Sequence, residues 1–144
     1  MKKAASKVAL LDVNVLLALA WPNHQFHASA SRRMAGARRW ATCALTELSF
    51  IRLSCTRAVV GEVKTPIEAS VLLGALTAAS GHEFWGQAPS PGKIGIAWEH
   101  VPGAAQTTDA YLLALARAHR ALLLTFDRRL LALAGAGEVE VLGA

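Results

Sequence analysis

Four acidic residues of this chain stand at the end of an apolar run or at the start of a helix. Asp12 follows the apolar run 8–11, and Asp127 follows the run 122–124. Glu47 comes after the run 40–43, in the first turn of the next helical stretch, and Asp109 lies in the first turn of a helix that begins at Thr107. A helix N-terminus favours a carboxylate by about 0.3–1 kcal/mol, which accounts for Glu47 or Asp109 taken singly. It accounts poorly for Asp12, which is flanked by Ala9-Leu10-Leu11 and Val13, because a carboxylate in apolar surroundings is costly unless something positive meets it. If the four acids converge, their mutual repulsion calls for a cation. Oxygen ligands suit Mg²⁺. Histidine and cysteine are missing from these positions, which argues against zinc. Such an ion lowers the pKa of water and polarises a phosphate, so the expected chemistry is phosphodiester hydrolysis.

The elements that must position these acids follow from apolar periodicity and from Gly and Pro punctuation. A strand over 8–11 passes at once into a helix over 13–20, closed by Trp21-Pro22-Asn23. A second helix is expected over 24–37, a strand over 40–43, a helix over 46–60, and another opened by Pro66. The Gly- and Pro-rich stretch 81–103 reads as a long loop with short strands near 83–85 and 95–98. A helix over 107–120, a strand over 122–125, a helix over 128–134 and a strand over 139–142 complete the chain. Alternating strands and helices with short connections imply an α/β fold: three layers, α/β/α, around a short central parallel sheet. Ligand sites in such sheets lie beyond the carboxyl ends of the strands, where the four acids stand. No GxGxxG or Walker loop follows the first strand, which removes the nucleotide-binding reading of an α/β sheet.

A length of 144 residues suits a single domain over 1–144. Hydrophobic residues make up 53% of it and the mean hydropathy is +0.35, more than a domain of this size buries alone. Part of that surface is expected to be covered by a second copy or another chain. The net charge is +5, and with the four acids set aside, six acidic residues face 15 basic ones, a balance that attracts RNA. Cys43 and Cys55 are expected to be reduced thiols of a cytoplasmic protein. The run after Met1-Lys2-Lys3 is broken by Asp12 and Asn14 and has no clean cleavage site, so it does not read as a signal peptide, and no apolar stretch is long enough to span a membrane.

Other residues are weighed against plainer roles. His24 and His27 are expected to cap or pack. Trp21, Trp40, Trp85 and Trp98 are expected in the core or an interface, with base stacking as the minority reading. Arg32-Arg33 and Arg38-Arg39 form a basic edge, and one of Arg128-Arg129 is placed to neutralise the acids or meet a phosphate. The stretch 110–116 is apolar all round, as expected of core together with a dimer contact.

Taken in order, the segments Leu11-Asp12-Val13-Asn14-Val15-Leu16, Trp21-Pro22-Asn23-His24 with His27, Ala41-Thr42-Cys43-Ala44-Leu45-Thr46-Glu47-Leu48 with Arg52, His82-Glu83-Phe84-Trp85, Thr108-Asp109-Ala110-Tyr111 and Leu124-Thr125-Phe126-Asp127-Arg128 resemble the PIN-domain toxins of the VapC type, in the branch abundant in mycobacteria and other actinobacteria. The resemblance spans nearly the whole chain. It implies a PIN-like fold and an endoribonuclease dependent on Mg²⁺ or Mn²⁺, with transfer or ribosomal RNA as substrate. It also implies a cognate VapB-type antitoxin and a homodimer. The metal-binding acids carry over to Asp12, Glu47, Asp109 and Asp127, with Asn14 as a polar residue beside the first acid and Thr125 as one near the last. Thr56-Arg57 stands where the resemblance would put an Asn-Pro turn, and the Gly/Pro loop 86–95 follows no pattern of the family. Two other readings stay open: a housekeeping PIN nuclease of RNA processing, separated by whether an antitoxin gene lies alongside, and a catalytically silent RNA- or protein-binding domain, against which the presence of all four acids argues.

Overall fold

The computed structural model describes residues 7–35, 39–56 and 63–143. Five strands, β1 (Ala9–Leu11), β2 (Trp40–Cys43), β3 (His82–Trp85), β4 (Leu122–Thr125) and β5 (Val139–Val141), form one sheet in the order β3-β2-β1-β4-β5, and every pairing is parallel. Among the described residues, five α-helices cover it: α1 (Val13–Ala20), α2 (His27–Ala35), α3 (Ala44–Ser54), α4 (Pro66–Thr77) and α5 (Thr107–Ala118).

Strand residues alternate between two cores, as a period of two requires. Ala9, Leu11, Trp40 and Leu124 meet Val15, Leu16, Phe50 and Leu73 from α1, α3 and α4 on one face. Leu10, Ala41, Cys43 and Leu123 meet Leu112, Leu113, Leu115 and Ala116 of α5 on the other. The result is the expected three layers, with the sheet buried between them.

Element by element, the agreement has physical limits. β2 and α1 run as expected. α2 starts at His27 rather than 24, because the His24 ring accepts the Phe26 N–H at 3.1 Å and holds 24–26 as a turn. α3 ends at Ser54, short of 60, and residues 57–62 lie outside the described residues, as does Arg38 of the basic edge. The strand expected over 95–98 does not form: turns run through 91–95, Gly95 has φ 93°, and Trp98–His100 is a 3-10 turn. The helix expected over 128–134 is a 3-10 segment, Arg128–Ala132, tightened by the Asp127 carboxylate accepting the Arg129 N–H at 3.0 Å. The dimer contact expected of 110–116 is also corrected. All seven residues are buried within this chain, so that stretch of α5 has no face left for a partner.

Trp40 and Trp85 are buried as expected, Trp21 packs against the first core, and Trp98 is 40% exposed. His27 bonds through Nδ1 to the Ala18 carbonyl at 2.7 Å, which ties α2 to α1. Arg33 forms a bidentate pair with Glu140 on β5, and Arg39 pairs with Glu83 on β3. Both cysteines are free thiols. No helix among the described residues is long and apolar enough to cross a membrane.

Candidate active site

β1 and β4 are neighbours, and their carboxyl ends deliver Asp12 and Thr125 side by side. Asp12 caps α1: its Oδ1 accepts the Val13 N–H at 2.8 Å. Its Oδ2 accepts the Thr125 hydroxyl at 2.7 Å. Thr125 is fully buried and joins two further groups, because its Oγ1 also accepts the Asn14 side-chain amide at 3.2 Å and the Asp127 N–H at 3.0 Å. Asn14 closes the network by accepting the Phe126 N–H through Oδ1 at 3.3 Å. The turn after β4 is therefore pinned to the first turn of α1, and the acids on the two segments keep a fixed relation.

Burial pushes the Asp12 carboxyl above its ordinary range. The bonds from Thr125 and Val13 oppose that rise, and the charge of Asp127 adds to it. Asp109, in the uncapped first turn of α5, is raised to about 6, by burial first and then by the charges of Asp12 and Asp127. Asp127 is held low by Arg129, whose guanidinium donates to both carboxylate oxygens, with Nη2 at 2.7 Å from Oδ2. Of the two arginines after Asp127, Arg129 is thus the one that neutralises an acid.

Three of the four sequence-derived acids share one electrostatic neighbourhood. Glu47 does not join them. Its carboxylate accepts the Thr42 hydroxyl, and Thr42 Oγ1 lies 2.7 Å from His82 Nε2. The charges acting on Asp109 are those of Asp12, Asp127 and Arg129. Strand alternation explains the separation. Thr42 sits between Ala41 and Cys43, which face α5, so its own side chain faces α3, whereas Thr125 follows Leu124 and faces α5. Sequence reasoning missed Thr42 and His82 as partners of Glu47. The available signal was Thr42, a polar residue inside the apolar strand β2, five residues before Glu47.

All the donors in this neighbourhood are hard oxygens. Among the described residues, no three His, Cys, Asp or Glu side chains stand close enough to form a ready-made cage. The arrangement fits a small divalent cation nonetheless: the carboxylates feel one another's charge without touching, and Mg²⁺ keeps several waters and takes few protein ligands. Burial and like charge leave Asp12 and Asp109 hard to ionise until a cation meets them.

Comparison with known proteins agrees with this geometry. Residues 9–136 match the PIN domain. The chain is 43% identical to Ribonuclease VapC39 of Mycobacterium tuberculosis over 93% of its length and 99% of the relative's. It is 39% identical to Ribonuclease VapC38 of the same organism, over 88% and 90%. Among solved structures it superposes on M. tuberculosis VapC20, a sarcin–ricin loop cleaving toxin, with a TM-score of 0.67 at 19% identity, covering 94% of this chain and 99% of the other. A toxin–antitoxin complex from Klebsiella pneumoniae gives 0.59 at 20% identity over 92% and 96%. The buried Asp12–Thr125 pair at the carboxyl ends of β1 and β4, the all-parallel sheet and these likenesses place the chain in the PIN-domain family, among the VapC ribonucleases.

Proposed function

We propose that the protein is a metal-dependent endoribonuclease, the toxin of a type II toxin–antitoxin pair, that cuts RNA phosphodiester bonds with water in the cytoplasm. The observation that carries this reading is the placement of Asp12, Asp109 and Asp127: three carboxylates at one edge of a parallel sheet, with Asp12 raised by burial and the charge of Asp127, and Asp109 by burial and the charges of the other two. The family's ribonuclease names support the reaction, and the net charge of +5 supports a polyanionic substrate, a transfer or ribosomal RNA.

Asp12, Asp109 and Asp127 would hold Mg²⁺, with Mn²⁺ as the alternative. When bound, the ion supplies a lowered water pKa and charge against the phosphate. Thr125 and Asn14 orient the acids: the hydroxyl aims Asp12, and both residues grip the backbone that carries Asp127. Asp109 carries a proton at mildly acid pH and must lose it to act as a ligand. Arg129 holds Asp127 in place and stands ready to transfer its N–H groups to a substrate phosphate. Glu47 completes the proposed set of metal-binding acids, and in the structure its carboxylate accepts the Thr42 hydroxyl instead.

The test is cleavage of single-stranded RNA by purified protein. Cleavage is expected with Mg²⁺ or Mn²⁺, to stop with EDTA and to return when the metal is restored in excess. Undiminished cleavage in EDTA would overturn the mechanism.

A VapB-type antitoxin and a second copy of the chain are the proposed protein partners. With 110–116 buried, the apolar surface available to a second copy lies on α3 and α4, where Leu48, Ile67 and Val71 are each about two-thirds or more exposed. Ile67 and Val71 are one helical turn apart and share a face. The double variant Ile67→Asp, Val71→Asp is expected to sediment as a monomer at micromolar concentration where the unmodified chain sediments as a dimer. A dimer that survives the double variant rules out this face.

A further inference from the structure

Against the first turn of α5, which carries Asp109, lies a cavity of about 500 Å³ that the proposed mechanism does not use. Its walls include Leu45, Pro89, Pro91, Trp98, Thr108 and Tyr111. Two chain segments tie it to the acid site. Thr108 directly precedes Asp109 in the first turn of α5. Cys43, also on its wall, ends β2, and the β1–β2 register sets it beside Asp12.

The Gly/Pro loop 86–95 builds the outer wall, and it is anchored. The Tyr111 hydroxyl donates to the Pro89 carbonyl at 2.7 Å. The Ser90 carbonyl accepts the N–H groups of Lys93 and Ile94 in a turn. Ile94 and Ile96 then pack into the α5 core. The loop that follows no family pattern therefore shapes a fixed wall. Trp98, on the same wall, is 40% exposed, while Trp40 and Trp85 are buried. Two prolines, a tryptophan and a tyrosine present flat apolar surface, and the Thr108 hydroxyl adds a polar group at the edge nearest Asp109. The volume is that of a small-molecule pocket, larger than one base needs.

We propose that this cavity receives one unstacked nucleobase of the RNA strand, adjacent to the phosphate that is cut, with Trp98 as its stacking platform. The inference rests on the ribonuclease reading above and deepens it. Thr108, on the cavity wall, and Asp109 are consecutive residues in one helical turn, so the cavity lies within a nucleoside's reach of a phosphate bound at the cation that Asp12, Asp109 and Asp127 would hold. Single-stranded RNA is recognised through splayed bases that stack on aromatic rings, and every base has a face that can stack. Trp98 is a specificity-determining residue here: it touches the substrate's base and not the reacting atoms.

The experiment uses a random-sequence RNA pool, sequenced after cleavage, and then one oligonucleotide cut from that pool with a single abasic nucleotide placed in turn at each position around the cut. The unmodified protein is expected to lose about tenfold or more in cleavage when one position next to the cut is abasic. Trp98→Ala is expected to lose a similar factor on the intact oligonucleotide and nothing further on the abasic one, the non-additivity of two changes to one contact. Trp98→Phe keeps a ring and is expected to restore most of the loss. Trp98 is partly exposed, so an unchanged melting temperature checks that Trp98→Ala folds. The same oligonucleotides, bound to Asp109→Asn protein so that they stay intact, should show the same pattern in fluorescence anisotropy.

If the unmodified protein cuts RNA while Trp98→Ala keeps the full abasic penalty, or while no abasic position matters, the base pocket is wrong and the ribonuclease reading stands. The cavity would then be left to an apolar side chain of a protein partner. If the unmodified protein cuts no RNA with either metal, both readings fall together.

Discussion

Asp109→Asn is expected to leave the protein folded, to raise its stability at neutral pH without metal, and to reduce RNA cleavage by two orders of magnitude or more. Outer partners of a metal site are worth about 10–100-fold, and a direct ligand is worth more. The stability half follows from the Asp109 carboxyl, which is raised to about 6 in the folded chain by burial and by Asp12 and Asp127, against an unfolded value of 3.8. Below the unfolded value both states are protonated and nothing is lost. As pH rises from there towards 6, the unfolded chain releases its proton first and stability falls; above the folded value the loss is complete. A shift of that size corresponds to about 3 kcal/mol, which solvent screening of a half-exposed group reduces to about 1–2 kcal/mol. Asparagine carries no charge and escapes the loss. It forfeits the interaction of a carboxylate with the helix N-terminus, about 0.3–1 kcal/mol, which is the smaller effect.

In melting experiments without metal, the variant and the unmodified protein should therefore agree near pH 4, and the variant should melt higher at pH 7.5. Added Mg²⁺ should reverse the order, because binding to the folded state raises the midpoint of the chain that keeps its ligand. A variant that melts lower without metal at pH 7.5, or that cleaves at the unmodified rate, would show Asp109 serving the helix and not the chemistry.

How far the sequence discloses this arrangement depends on the kind of signal each element carries. α1 is legible to the residue: Asp12 caps it and Trp21-Pro22 ends it. β1 and β4 are short apolar runs, and the rule that sites lie past the carboxyl ends of parallel strands points to Asp12 and Asp127 without further information. Three features were not legible. Apolarity all round 110–116 states that the stretch is buried and not what buries it; here the chain's own sheet and loops do so. Residues 95–98 read Gly-Ile-Ala-Trp, acceptable in a strand, but a positive φ at Gly95 turns the chain away from the sheet. Glu47 lies where a site acid should be, yet the face of β2 that its side chain leans towards depends on how α3 is rotated over the sheet, a tertiary matter. Loop 86–95 shows the complementary case. It matched no pattern, and the structure makes it a wall beside the acids.

Thr125→Val should expose the organisation of the site more sharply than any change to an acid, because it alters no charge and almost no volume. Valine fills the fully buried position, but the hydroxyl it removes donates to Asp12 and accepts from Asn14 and from the Asp127 N–H. Asp12 Oδ2, the Asn14 amide and the Asp127 N–H each lose a partner. An unsatisfied buried polar group costs about 1–3 kcal/mol, and the site's edge admits water to some of these atoms, so a total loss near the upper end of that range is expected. The bond from Thr125 is the largest influence holding the Asp12 carboxyl down against burial, so its removal moves that carboxyl further up. The acid limb of the cleavage profile should shift to higher pH, and the rate at neutral pH should fall about 10–100-fold, the usual effect of losing a residue that aims a metal ligand. Thr125→Ser keeps the hydroxyl and should recover the pH profile even where its missing methyl group costs stability. Urea unfolding and pH–rate profiles on the two variants separate the roles. A threonine that merely filled space would give a Thr125→Val protein with an unshifted profile, and the hydroxyl would then be idle in the chemistry.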